Sequence, residues 1–124
     1  MTSAVVFAYS EVGVRCVQEL LAQDIDIALL FTHTDDAGEK QWFGSVRGVA
    51  EANGVRVEAP DDPNTSEWIA AGAAANPDFL FSFYYRYMLG KAWLGVPRRG
   101  ALNMHGSLLP KYRGRAPVDR KSVV

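Results

Sequence analysis

The sequence predicts an α/β fold, an open and mostly parallel Rossmann-like sheet with helices on both faces. Three observations support this prediction. Apolar stretches typical of buried strands alternate with segments of helical periodicity. The first strand candidate, Ala4 to Tyr9, is an almost continuous apolar run, as expected for a strand covered on both faces. The chain has 124 residues, 48% of them hydrophobic and 22% charged, which suits one domain with a buried core.

The elements after the first strand follow from periodicity and from breaks in it. Apolar residues recur at helical spacing across 12–23, which predicts a helix, and the apolar run 25–31 predicts a second buried strand. Segment 32–41 contains two aspartates and a glycine and is predicted to be a polar loop. A helix over 43–52 and a short strand over 55–58 complete this half of the chain.

A capped helix is predicted next. Residues 61–64 have the composition of a loop, and Thr65 or Ser66 can cap a helix over 67–75. The helix is expected to end before Pro77, because proline disfavours a helical conformation at the residue that precedes it.

Two further strands bring aromatic and polar side chains to one edge of the sheet. Phe79–Phe83 has the aromatic composition of a central strand and is followed by Tyr84-Tyr85-Arg86-Tyr87. Residues 101–104 form a fifth short strand that delivers His105 to the same edge. In open parallel sheets, ligands bind beyond the carboxyl ends of the strands, where the strand order reverses. We therefore expect the functional site at this edge.

Charge is distributed unevenly along the chain. The formal net charge is −1, but residues 98–124 contain seven of the 13 basic residues and a single acid, Asp119. This basic end either faces an anionic partner or is simply solvated.

Several classes of protein are disfavoured. The sole cysteine, Cys16, excludes an internal disulfide and any multi-cysteine metal site, and its apolar helical surroundings predict that it is buried as a small hydrophobic residue. The chain begins without a basic leader and has no apolar run near the roughly 20 residues of a membrane span, so a cytoplasmic location without membrane insertion is expected. A Gly-x-Gly-x-x-Gly fingerprint and a P-loop are both absent from the sequence, and the fold by itself does not specify a function.

Asn103 and His105 are the residues with the clearest chemical meaning. Strand alternation places them on the same side, where both can face one reacting centre. An imidazole can accept or return a proton near neutral pH, and a carboxamide N–H can donate to an oxyanion without titrating. We predict no metal ligands. The pair alone also fits an ordinary polar rim.

The residues after this pair carry a family resemblance. Asn-x-His at 103–105 is followed by Ser-Leu-Leu-Pro at 107–110, Arg-Gly at 113–114 and Ala-Pro at 116–117. This pattern resembles the signature of the 10-formyltetrahydrofolate-dependent N-formyltransferases, which have a Rossmann-like N-terminal half. Further segments look like the formyltransferase domain of the enzymes that modify lipid A with aminoarabinose: 5–9, 31–35, 43–46, 59–61, 81–86 and 109–117.

The resemblance implies a function and roles for individual residues. His105 would transfer protons, and Asn103 would stabilise the transition state, as an amine attacks the formyl carbon of 10-formyltetrahydrofolate. The implied acceptor is UDP-4-amino-4-deoxy-L-arabinose, a nucleotide sugar of lipid A modification and polymyxin resistance. Folate-binding residues would be Tyr87, Met88, Leu89 and Arg115.

Other interpretations stay open. The basic end suits a tRNA backbone as well, which makes methionyl-tRNA formyltransferase the second candidate, and a non-catalytic folate-binding module is the third. Tyr84, Tyr85 and Tyr87 fit half-buried rim residues as well as ligand contacts. His33 is interpreted as structural.

The resemblance covers residues 4–118, and we predict that residues 1–118 are part of a formyltransferase N-terminal domain. Residues 119–124 depart from the family pattern and are expected to be a non-native tail. The family also uses an Asp from a later segment to orient the histidine. Since such groups act as a unit, the 124-residue chain alone is expected to be inactive, and an uncovered sheet edge should make it prone to aggregate.

Overall fold

The computed structural model describes residues 1–33 and 45–104 and confirms the predicted α/β fold. Five parallel strands form one sheet in the order β3-β2-β1-β4-β5. The strands are β1 (Ser3–Ala8), β2 (Asp26–Phe31), β3 (Val57–Glu58), β4 (Phe79–Phe83) and β5 (Gly100–Met104). The helices are α1 (Ser10–Ala22), α2 (Val46–Ala52), α3 (Ser66–Ala74) and α4 (Lys91–Leu94).

The apolar composition of β1 explains its central position. Residues Ala4 to Ala8 are fully buried, with β2 on one side and β4 on the other. Because successive strand residues point to opposite faces, a strand covered on both faces needs apolar residues throughout. The chain adds β2 and β3 on one side of β1 and then β4 and β5 on the other. The strand order therefore reverses between β1 and β4.

Each face of the sheet has its own core layer. The α1 layer includes Ala4, Val6, Ala8 and Phe83, packed against Val17 of α1 and against α2. The α3 layer consists of the following buried residues, packed against α3 and around the α4 tryptophan: Val5, Phe7, Leu29, Phe31, Leu80, Tyr85 and Trp93. Burial of these side chains supplies the main driving force for folding, at roughly 1.5–3 kcal/mol for each large residue.

Most predicted elements are confirmed within a few residues of their bounds. The β4 strand occupies the predicted range, and Thr65 caps α3 by accepting a hydrogen bond from the Trp68 N–H at 3.4 Å. The second helix begins at Val46, with Ser45 accepting from the Gly48 N–H at 3.0 Å. Its predicted start at residue 43, and most of the predicted loop 32–41, lie outside the described residues.

The sequence did not predict α4. Its four residues are too few to show helical periodicity. Trp93 anchors this helix, since its side chain is fully buried against Phe7 and Phe31. Within residues 1–33 and 45–104, no helix is long and apolar enough to cross a membrane.

Candidate functional site

Two strained corners lie at the carboxyl ends of β1 and β4, where the strand order reverses. Ser10 directly follows the β1 corner with φ of 71°, and Tyr84 directly follows β4 with φ of 61°. A positive φ is uncommon for residues other than glycine, and such conformations concentrate at functional sites. Backbone bonds fix both corners: the Tyr9 N–H donates to Phe83 O at 3.1 Å, and the Tyr84 N–H donates to Met104 O at 3.0 Å.

Aromatic rings from the segments that follow three strands, β1, β2 and β4, meet at this edge. We call Tyr9, His33, Tyr85 and Tyr87 the edge cluster. The His33 ring stacks on Tyr85 with 4.4 Å between ring centres, and it meets Tyr9 and Tyr87 edge-on at 4.9 and 4.8 Å. The Arg86 guanidinium lies 4.8 Å from the centre of the Tyr9 ring, which is a cation–π contact. His33 therefore lies at the centre of the edge cluster.

A hydrogen bond joins His33 to the segment after β4. The Arg86 backbone N–H donates to His33 Nε2 at 2.9 Å. Since Nε2 accepts, the neutral ring carries its proton on Nδ1. Burial, assisted by the positive charge of Arg86, lowers the pKa of His33 below its usual value. Partial burial thus keeps the imidazole neutral and able to accept this bond.

Tyr85 is a core residue rather than a half-buried rim residue. It is 5% exposed and packs edge-on against Phe7. Among the described residues, no group forms a hydrogen bond with its buried hydroxyl. Burial, with Tyr87 and Asp62 nearby, raises the pKa of the Tyr85 phenol far above its usual range. Tyr85 thus acts as a neutral wall for the edge cluster.

The segment predicted to line the folate pocket follows β4 at this edge of the sheet. Tyr87 is 42% exposed and Met88 is 87% exposed, whereas Leu89 packs against the α3 layer. The Asn64 side chain, from the loop before α3, bonds to the backbone of Met88 and of Gly90. The exposed side chains of Tyr87 and Met88 therefore belong to a segment whose backbone is bonded to Asn64 at Met88 and at Gly90.

Asn103 lies near the end of β5, at the same edge of the sheet. It pairs in register with Ser82 of β4, and its side chain is exposed. Strand alternation places Asn103 and Ser82 on the same face as Leu80, which belongs to the α3 layer. The structure thus brings Asn103 to the edge shared by Tyr87, Met88 and Leu89. His105 and Arg115 lie outside the described residues.

Arg98 and Arg99 lie at the amino ends of the strands, opposite the carboxyl ends that carry the predicted site. Arg98 and Arg99 precede β5, and Arg98 forms an ion pair with Asp78 just before β4. The Arg98 side chain, through its hydrogen bond, holds the pKa of the Asp78 carboxyl below its usual range. Arg99 lies over the Phe79 ring at 5.4 Å. These two arginines therefore lie at the amino ends of β4 and β5, away from the predicted site at the carboxyl ends.

The contacts of His33 fit the structural role expected of it, because its ring stacks on Tyr85 and accepts a hydrogen bond from the Arg86 backbone. It also follows β2, at the same edge of the sheet as the predicted site. Asn64 was predicted only as part of a loop, because nothing in its sequence neighbourhood indicates a partner 24 residues away.

Cys16, expected to be buried, is intermediate in exposure and packs against the α1 layer, where burial raises the pKa of its thiol.

The described residues contain no group of three or more His, Cys, Asp or Glu side chains that could hold a metal ion. What the edge offers is an amide on β5, an aromatic wall around a neutral imidazole, and a cation at Arg86. Tyr87, the exposed ring of the edge cluster, suits contact with a flat aromatic ligand, since ring faces stack and polar groups fix orientation.

Comparison with known proteins identifies relatives of this chain. A protein-family model described as formyl transferase matches residues 3–122. The fold is similar to that of glycinamide ribonucleotide transformylase 1 from Symbiobacterium toebii, with a TM-score of 0.62 and 20% sequence identity. The match covers 90% of this chain and 55% of the transformylase, so the chain spans about half the length of that protein. At this level of identity, the structural likeness establishes the fold alone.

Proposed function

Because the chain belongs to the formyl transferase family, whose formyl donor is 10-formyltetrahydrofolate, we propose that its carboxyl edge binds this cosubstrate and supports formyl transfer to an amine. The observation that carries the proposal is the position of Asn103. It lies at the carboxyl end of β5, at the edge that also presents Tyr87, Met88 and Leu89.

The proposed chemistry assigns each group a task. The acceptor amine attacks the formyl carbon, a C–N bond forms, and negative charge develops on the formyl oxygen. When the carbonyl re-forms, the bond between the formyl carbon and N10 of the folate breaks. The Asn103 side-chain N–H donates to that oxygen without itself titrating. His105 takes the proton from the attacking amine and returns it to N10 of the departing tetrahydrofolate. The products are a formamide and tetrahydrofolate, so atoms and charge balance.

The proposed cofactor surface combines contacts of two kinds. Tyr87 and Met88 are exposed at the rim, and their side chains can cover a flat ring system, while Leu89 links the segment to the core. Arg115, which the family resemblance assigns to the folate, would add a charged contact. A metal ion is not part of this proposal.

The proposed acceptor is UDP-4-amino-4-deoxy-L-arabinose, as in lipid A modification and polymyxin resistance. Its support is the similarity of segments such as 81–86 and 109–117 to the corresponding enzymes. A nucleotide sugar carries a pyrophosphate, and arginines pair with phosphate oxygens. Arg113 of the signature is a candidate, whereas Arg98 is already paired with Asp78. Methionyl-tRNA is the second candidate acceptor, because the same charge suits a phosphate backbone.

The test is formyl transfer by the product of the complete reading frame. We expect a formamide product, detected by mass spectrometry, when 10-formyltetrahydrofolate and the nucleotide sugar are supplied. Methionyl-tRNA and glycinamide ribonucleotide are supplied in parallel reactions. If methionyl-tRNA or glycinamide ribonucleotide is formylated and the nucleotide sugar is not, the formylated compound is the acceptor and the proposed one is wrong. Folate binding without transfer to any amine would favour a non-catalytic binding module instead.

Asn103→Ala provides the residue-level test. Loss of an oxyanion donor should lower kcat by about 10²–10³-fold while folate binding changes little. Asn53→Ala is the matched control, because that exposed amide caps α2 by donating to Val49 O at 2.9 Å. Equal activity of the Asn103→Ala enzyme and the wild type would rule out the assigned role.

A further inference from the structure

The Asn64 side chain connects two loops that are distant in sequence. Its Nδ2 donates to Met88 O at 2.9 Å, and its Oδ1 accepts from the Gly90 N–H at 2.8 Å. Only one orientation of the amide satisfies both bonds, because Met88 O is an acceptor and the Gly90 N–H is a donor. The two hydrogen bonds therefore define the position of the amide without ambiguity.

The loop that carries Asn64 is itself held in place. The Asn64 backbone N–H donates to Asp62 Oδ1 at 2.8 Å, which forms a local turn. The Trp93 indole N–H donates to Pro63 O at 2.8 Å, and this bond is buried. Asn64 thus extends from a fixed loop toward segment 87–90.

Two backbone groups of segment 87–90 have this side chain as their hydrogen-bond partner. Met88 is 87% exposed, so its side chain contributes little packing, and Gly90 has no side chain. Leu89 contacts the α3 layer, and Tyr87 contacts His33 and Tyr85. Without Asn64, these two side chains would still attach the segment to the protein, but Met88 O and the Gly90 N–H would lose their partner.

We propose that Asn64 is a positioning residue for folate binding, because it sets the backbone of the segment that lines the cosubstrate pocket. This inference rests on the proposed function. Asn64 acts through segment 87–90, without a contact of its own to the cosubstrate. Pre-ordering this segment lowers the entropy that binding must otherwise overcome.

The variants separate the two hydrogen bonds. Asn64→Ala removes both of them. Asn64→Asp keeps an acceptor for the Gly90 N–H but sets a carboxylate oxygen against Met88 O, so its effect should be intermediate. Asn53→Ala is the matched control, since it removes an exposed amide that caps α2 far from this edge.

Two measurements on the product of the complete reading frame test the inference. The first is the affinity for 5-formyltetrahydrofolate, a stable folate, by isothermal titration calorimetry. We expect about tenfold weaker binding for Asn64→Ala, less for Asn64→Asp, and no change for Asn53→Ala. The second is amide hydrogen exchange. Exchange at Gly90 should accelerate in Asn64→Ala while strands β1 and β4 keep their protection.

The outcomes distinguish the inference from the function on which it rests. A wild-type protein that does not bind the folate would overturn both. Wild-type binding with equal affinity in Asn64→Ala would overturn the inference alone. Weaker binding with unchanged exchange at Gly90 would also overturn it, because Asn64 would then be a direct ligand. If Asn64→Ala fails to fold, Asn64→Asp decides by affinity alone, since it keeps the acceptor for the Gly90 N–H. Weaker folate binding than in the wild type would support the inference, and equal affinity would overturn it.

Discussion

At the scale of single residues, His33 connects the ends of three strands. Its ring contacts Tyr9 after β1 and Tyr85 after β4, and its Nε2 accepts from the Arg86 backbone. The hydrogen bond from the Arg86 backbone requires the neutral form of the imidazole, because Nε2 must accept it. The edge cluster is therefore sensitive to protonation of one side chain.

His33→Phe should remove this sensitivity while keeping an aromatic ring in the cluster. At about pH 8, where the wild-type imidazole is neutral, the variant should be less stable by about 1 kcal/mol, because Arg86 loses its acceptor. The folded-state pKa of His33 is lowered from 6.5. As the pH falls below 6.5, the unfolded wild-type chain gains a proton that the folded protein resists, so wild-type stability decreases.

The stability difference between wild type and His33→Phe should consequently shrink on acidification. Urea unfolding at a series of pH values measures it. His33 should titrate by NMR below its ordinary pKa of 6.5 in the folded wild type. A difference that grows toward acidic pH would contradict the lowered pKa.

At the scale of elements, α3 and α4 pack through a glycine. Gly72 is buried in α3, and a Cβ placed on it would overlap the Trp93 ring at Cζ3 and lie 2.6 Å from Cη2. The indole cannot easily move, because it contacts Phe7 and Phe31 and donates to Pro63 O. The close approach of these two helices therefore requires glycine at this position.

Gly72→Ala should destabilise the protein by about 1–3 kcal/mol, since overpacking outweighs the better helix propensity of alanine. Gly48→Ala in α2 is the control. A Cβ there would meet only Ser45 Oγ at 3.4 Å, so this variant should be as stable as the wild type or more stable by up to about 1 kcal/mol. Urea unfolding curves for both variants give the comparison. Equal stability of the two variants would contradict the packing argument.

At the scale of the whole molecule, β5 forms one edge of the described sheet. Leu102 is 56% exposed and Met104 is 38% exposed, both on the face that carries Phe81. An edge strand with exposed apolar residues favours pairing with other chains. Aggregation of the 124-residue chain therefore stays a prediction, for which these side chains are the candidate cause.

Leu102→Lys should raise the concentration at which this chain self-associates by about tenfold, because a charge on an edge strand opposes pairing. Stability should change by no more than about 0.5 kcal/mol, since the side chain is largely exposed. Leu94→Lys, at a 51% exposed position in α4, is the control for a charge placed away from the edge. Sedimentation velocity provides the measurement. A similar effect of both substitutions would show that charge alone, rather than the edge, controls association.

Much of this molecule could be predicted from local sequence. The apolar run in β1 requires a strand covered on both faces, and the aromatic run at Phe79–Phe83 predicted β4 at its observed bounds. Alternation and chain order also brought Asn103 to the carboxyl edge. These inferences succeeded because strand burial and side-chain direction depend on near neighbours along the chain.

The assignments of His105 and Arg115, the domain boundary at residue 118 and the tail at 119–124 stay predictions. They depend on family resemblance rather than on described contacts.

Only the tertiary structure decided which side chains support the edge. His33 meets Arg86 across 53 residues of sequence, and Asn64 meets Gly90 across 26. Neither contact leaves a periodic pattern, because each depends on which strands become neighbours and where the chain reverses. The sequence by itself determined the layers, the central strand and the edge that carries Asn103. The three-dimensional arrangement determined that the His33 imidazole is neutral, that segment 87–90 is bonded to Asn64, and that Gly72 packs under Trp93. These features arise from packing between elements that lie far apart in the sequence.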